Sequence, residues 1–142
     1  MSHSQLSDPR GRLVNQLIYF DEQMPMILHS YTPREKKIMQ ENIEKYKKLL
    51  VSFLQLNDAD LLKTLNTVTL IGSSVTICYE EEGTNEAFTV VLPSEIDPDQ
   101  NRISFFSPIG IQLLSRAKGE TFILQTPQAE HSVRIIETKL FE

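Results

Sequence analysis

The chain has 142 residues, with ordinary apolar and charged fractions, three histidines and one cysteine. That length can bury a core in one or two small domains, and the composition excludes a disordered tail or a disulfide-built scaffold. The net charge of −5 is unevenly spread: residues 33–50 hold six bases against three acids and residues 66–142 eleven acids against five bases, so neither part has the concentrated basic surface of a protein that binds specific DNA by itself.

In chain order, residues 1–8 lack the basic-then-apolar pattern of a signal peptide, and no apolar run is long enough to cross a bilayer. A cytoplasmic protein without membrane contact is expected. Leu13, Leu17, Phe20, Met24 and Ile27 then recur at spacings of four and three, the period of a helix with one apolar seam. Pro25 falls inside that seam and predicts a bend. His29-Ser30-Tyr31 is a short connection. Thr32-Pro33-Arg34-Glu35 has the form of a capping box with proline at the first helical position. Met39, Ile43, Tyr46, Leu50 and Phe53 carry a second seam from Pro33 to about Gln55, roughly 35 Å of helix at ~1.5 Å per residue. Two seams joined by a short connection predict an antiparallel hairpin. Asn57 to Asn66 reads as a connector, with a turn of helix capped by Asp58 over Leu61, Leu62 and Leu65.

After residue 66 the apolar period falls to two. Val75, Ile77 and Tyr79 alternate, Glu81 to Asn85 is a turn, and Phe88, Val90 and Leu92 alternate again. A polar loop from Pro93 to Gln100 follows. Arg102 to Phe106 reads as a strand running straight into a helix, with Ser107 as its cap and Pro108 as its first residue. Lys118-Gly119-Glu120 is a turn. Phe122 with Leu124, and Val133 with Ile135, mark two more strands. The expected fold is α+β: a helical hairpin and connector over residues 1–66, then an antiparallel sheet with one short helix over residues 67–142. Cys78 lies in an alternating strand as a half-buried residue, and His3, His29 and His131 have no metal-ligand spacing.

Several pieces of the second half, in order, resemble the C-terminal domain of the bacterial Gre transcript-cleavage factors, the GreA/GreB family. They are Val68 to Thr76, Phe88 to Pro93, Glu95 to Pro98, Arg102 to Gly110, Leu113-Leu114, Lys118 to Glu120 and Thr126-Pro127. The resemblance implies an FKBP-like fold there. It extends to the first half, because Gre factors carry an antiparallel coiled-coil hairpin and Leu13 to Ile27, with Pro25, looks like its first helix. Glu41-Asn42 looks like the end of the family's acidic tip motif, Asp-x-x-Glu-Asn. The aspartate position of that motif is Ile38 here, flanked by Lys36 and Lys37, and the hairpin is shorter than the family's. The related Rnk type, with its short hairpin, is a close variant.

The resemblance implies a transcription elongation regulator that binds RNA polymerase, with the hairpin in the secondary channel and the C-terminal domain docked outside. Gre tips help hold a metal ion at the polymerase active site, which needs clustered carboxylate oxygens. Isoleucine supplies none. A Gre-like factor without transcript-cleavage stimulation is therefore expected, not itself an enzyme, with no cofactor and monomeric when free. The residues expected to meet the polymerase are Tyr31, Arg34, Glu35, Glu41 and Asn42 on the hairpin, and Ser107, Pro108, Ile109 and Gly110 at the strand-to-helix junction. The alternatives are an active GreA/GreB-type cleavage factor, an FKBP-like peptidyl-prolyl isomerase, or a hairpin that dimerises through its seam. An isomerase needs an aromatic pocket; the chain has no tryptophan, and Phe88, Phe105, Phe106 and Phe122 sit at strand spacings that a core explains.

Overall fold

The structure, a computed structural model, describes residues 8–140. It divides into two compact units, residues up to 62 and from 63 onward. The first unit is helical. Helix α1 (Pro9–Leu28) starts at Asp8, whose carboxylate accepts the Gly11 N–H. It runs through Pro25 without ending, so Met24 stays buried, and Leu28 rather than the expected Ile27 closes the seam. Helix α2 (Pro33–Leu54) opens on the capping box: Thr32 Oγ1 accepts the Glu35 N–H at 3.2 Å, and Glu35 Oε1 accepts the Thr32 N–H at 3.0 Å. All five residues of the second seam are buried.

The two helices pack antiparallel. The Tyr46 hydroxyl donates to Gln16 Oε1 at 2.5 Å, and the Phe20 ring meets Tyr46 edge-on at 5.8 Å. Arg10, near the start of α1, reaches the far end of α2. It donates to Leu54 O at 2.8 Å, to Leu56 O, and to Asp58 Oδ1 at 2.9 Å. These contacts occupy main-chain acceptors at a helix C-terminus, which the helix itself leaves unpaired. Helix α3 (Asp58–Thr64) follows. Its cap is Asn57, whose Oδ1 accepts the Asp60 N–H at 2.8 Å, and not the expected Asp58, which is taken by Arg10. Leu61 and Leu65 are buried, while Leu62 faces solvent.

The second unit is a five-stranded sheet of order β3-β2-β1-β5-β4, with β1 (Ser73–Tyr79), β2 (Thr84–Val91), β3 (Arg102–Ser104), β4 (Thr121–Gln125) and β5 (Glu130–Leu140). The α+β class holds, with one correction: the edge pair β2–β3 is parallel, matching Thr89 with Arg102 and Val91 with Ser104. The connector explains it. Two short 3-10 turns, Pro93–Glu95 and Pro98–Gln100, carry the chain back along β2, and Asn101 turns it in the left-handed region at φ 55°. Asn101 Nδ2 donates to Ala87 O at 2.8 Å, anchoring the return. A hairpin signal in sequence cannot distinguish a tight reversal from such a ten-residue return. Helix α4 (Pro108–Leu113) contributes Leu113 to the core, where Phe105, Val75, Ile77, Val90, Leu124, Val133 and Ile135 are likewise fully buried.

Candidate functional site

The hairpin tip is built from the end of α1, residues 29–32, and the first turns of α2. His29 N donates to Met26 O at 3.3 Å and Tyr31 N to Leu28 O at 3.0 Å, so the connection is tight. Tyr31 is half-buried, and its hydroxyl pKa is raised by burial and then by the Glu35 charge. Arg34 and Glu35 are exposed. Glu35 is the only acid in the first turn of α2, and one of its oxygens is engaged by the capping box. Lys36 and Lys37 follow directly.

Glu41 and Asn42 do not belong to this tip. Glu41 is exposed on α2, about 12 Å along the axis from Pro33 at ~1.5 Å per residue. Asn42 turns its amide inward on its own helix, donating to Ile38 O at 2.8 Å. Ile38 is 52% exposed on the same helix. Asp21 and Glu22 lie on the exposed flank of α1, with Asp21 3.6 Å from Lys47. Among the described residues no three His, Cys, Asp or Glu side chains converge in a way that could hold a metal ion. A groove of about 430 Å³ runs between the arms, floored by Phe20, Met24, Leu28 and Ile43, with Pro25 and Lys36 on its rim.

The second candidate patch is the junction from β3 into α4. Here the expected strand Arg102–Phe106 is shorter than its composition suggests and ends at Ser104. Phe105 N still donates to Val91 O at 3.0 Å, but Ser104 Oγ then accepts the Phe106 N–H at 3.3 Å and Ser104 O the Ser107 N–H at 3.0 Å. A serine bonding its own backbone two residues on turns the chain. Ser107 caps α4: its hydroxyl accepts the Gly110 N–H at 3.1 Å and donates to Ser104 O at 2.7 Å. Both roles of that hydroxyl are thus filled within the turn. Gly110 is buried. A methyl group there would lie 2.0 Å from Ser104 O. Of the four junction residues Pro108 is exposed, Ser107 and Ile109 are half-exposed and Gly110 is buried; with the Ser107 hydroxyl occupied inside the turn, Pro108 and Ile109 are the side chains left to offer a partner.

Ser104 and Gln112 organise this junction and are unmarked by apolar periodicity. The signal for Ser104 is its place two residues before a break in the strand pattern; Gln112 has no local signal, because its partner, Gln125, lies on another element.

Comparison with known proteins gives consistent matches. Residues 64–139 match the family described as "Transcription elongation factor, GreA/GreB, C-term". The chain is 42% identical over 74 residues to transcription elongation factor GreA of Bacillus cytotoxicus, covering 52% of this chain and 47% of that protein. It is 34% identical over 92 residues to GreA of Chloroflexus aurantiacus, covering 65% of this chain and 57% of the other. The chain thus spans about half the length of the curated relatives it matches. Among solved structures, a GreA/GreB elongation factor from Nitrosomonas europaea aligns at TM-score 0.49 and 24% identity, over 66% of this chain and 91% of that one. GreA factor homolog 1 (Gfh1) of Thermus thermophilus aligns at TM-score 0.47 and 24% identity, over 96% and 91%.

Proposed function

This chain belongs to the GreA/GreB family of transcription elongation factors, and on that premise we propose that it binds RNA polymerase as a regulator and does not stimulate transcript cleavage. The hairpin is the part that enters the secondary channel, with Tyr31, Arg34 and Glu35 at its apex. The C-terminal unit docks through Pro108 and Ile109. The observation that carries the reading is the state of Glu35. It is the one carboxylate in the first turn of α2, one of its oxygens is spent on the Thr32 N–H, and Arg34, Lys36 and Lys37 surround it in sequence. Recruiting a hard divalent cation takes several anionic oxygens at one point, and neighbouring ammonium groups oppose it. A tip of this kind occupies a channel without supplying catalytic metal ligands.

The test is a stalled elongation complex incubated with the protein. The expected result is retention of polymerase without shortening of the transcript, and interference with a cleavage-competent factor added afterwards. Arg34→Glu in the same assay weakens retention, more in dilute than in concentrated salt, since a charge meeting an acidic wall is screened by added ions. Robust endonucleolytic shortening removes the no-cleavage part of the reading; failure to retain polymerase removes the whole of it.

A further inference from the structure

Strand β4 ends the sheet, and among the described residues no strand lies on its outer side. Its even-numbered residues are the ones bonded to β5. Phe122 pairs with Val133 and Leu124 with His131, while the flanking bonds from Ile135 N to Glu120 O and from Thr126 N to Ala129 O keep the same parity. By strand alternation the N–H and C=O groups of Thr121, Ile123 and Gln125 point outward. A row of outward groups is a template for pairing with another chain.

One position of that row is filled by a side chain. Gln112 on α4 donates Nε2–H to Gln125 O at 2.8 Å and accepts the Gln125 N–H on Oε1 at 2.8 Å. This is the two-bond exchange that a residue of a facing strand makes. The same Nε2 donates to Pro108 O at 2.8 Å, tying the amide to its own helix. One turn further on, Arg116 lies 3.9 Å over the Phe122 ring and pairs with Glu120 at 2.7 Å, holding the segment after α4 against the start of β4.

The strand so guarded, Thr121-Phe-Ile-Leu-Gln125, is short and uncharged, with Ile123 at its middle 51% exposed. An antiparallel copy centred on Ile123 would set Ile123 against Ile123 and Thr121 against Gln125. That match is two-fold symmetric and uses each outward main-chain group of the strand. It requires Gln125 to be open, and Gln125 is the residue that Gln112 occupies. We propose that Gln112 is a built-in edge block that keeps two copies of this chain from joining through β4.

The test measures mass by sedimentation across a concentration series, for the full chain and three variants. Gln112→Met keeps the stem that packs on α4 and removes the amide; Gln112→Ala removes both. The third combines Gln112→Met with Ile123→Pro, which deletes an outward N–H and none of the bonds to β5, the position where an edge strand tolerates proline. The unaltered chain runs at its monomer mass. Gln112→Met and Gln112→Ala move toward twice that mass as concentration rises, and the added proline returns the species to monomer. Circular dichroism identifies any variant that has lost its fold, in which case the folded one of the two Gln112 variants decides. A folded Gln112 variant that stays monomeric throughout overturns the proposal. So does association that the proline leaves intact, or an unaltered chain that already dimerises through β4.

Discussion

Gly110 sits where a methyl group has no room. In most helix interiors replacing glycine by alanine gains stability of about 1 kcal/mol. Here the added carbon would lie 2.0 Å from the Ser104 carbonyl oxygen, a main-chain atom held by Ser107 from both its N–H and its hydroxyl. The sign should reverse: Gly110→Ala is expected to lower unfolding stability by about 1–3 kcal/mol, as overpacking does, read as a fall in the urea midpoint. A second residue-scale outcome concerns Tyr79. Its hydroxyl donates to Glu86 Oε1 at 2.6 Å, and its pKa is pushed up to about 12 by burial first, then by the hydrogen bond to Glu86 and the charges of Glu86 and Glu82. The folded value lies above the unfolded one of about 10. Its contribution to stability is therefore full below pH 10 and is lost as pH rises toward 12. Tyrosinate absorbance, with Tyr79→Phe to isolate the site, should show this group ionising near the top of that window, and Glu86→Gln should move it downward. At this scale sequence marks residue types well: Ser107, Pro108 and the Thr32–Glu35 box all do what their chemistry implies. It marks partners poorly where they lie on another element, because Gln125 is brought within reach of Gln112 only by the fold.

The helices were the most legible elements. A seam of apolar side chains at spacings of three and four has one economical partner, another such seam, and the buried set Met39, Ile43, Tyr46, Leu50 and Phe53 follows from it. The ends of the hairpin were less legible. Its open end is closed by Arg10, which no seam identifies and which contacts Leu54, Leu56 and Asp58 across more than forty residues. Arg10→Met keeps most of the aliphatic stem and removes the charge-assisted bonds. We expect a loss of about 2 kcal/mol, seen as a lower thermal midpoint of the helical signal. Asp58→Asn should cost less than about 1 kcal/mol, since that ion pair is open to solvent. A larger effect from Asp58 than from Arg10 would place the clasp in the ion pair and not in the carbonyls. Strands carried a weaker signal than helices. Period two located β1, β2, β4 and β5, but β3 is three residues long and its parallel pairing depends on a connector whose path is set by Asn101 and two 3-10 turns.

For the whole molecule, the split of charge and period along the chain already separates a helical, mildly basic part from an acidic sheet part, and the matched C-terminal domain lies in the latter. Read alone, the sequence specified what local chemistry can encode: two seams, a capping box, alternating strands, and a serine and a proline that start α4. What only the tertiary structure decided was which groups meet. It carried Arg10 to the far end of α2, and it laid Gln112 along the open edge of β4. The physical reason is range. Helix and strand periods, caps and turns act over a few residues and are written in neighbours, whereas a hydrogen bond between distant elements depends on register and packing that no neighbour records.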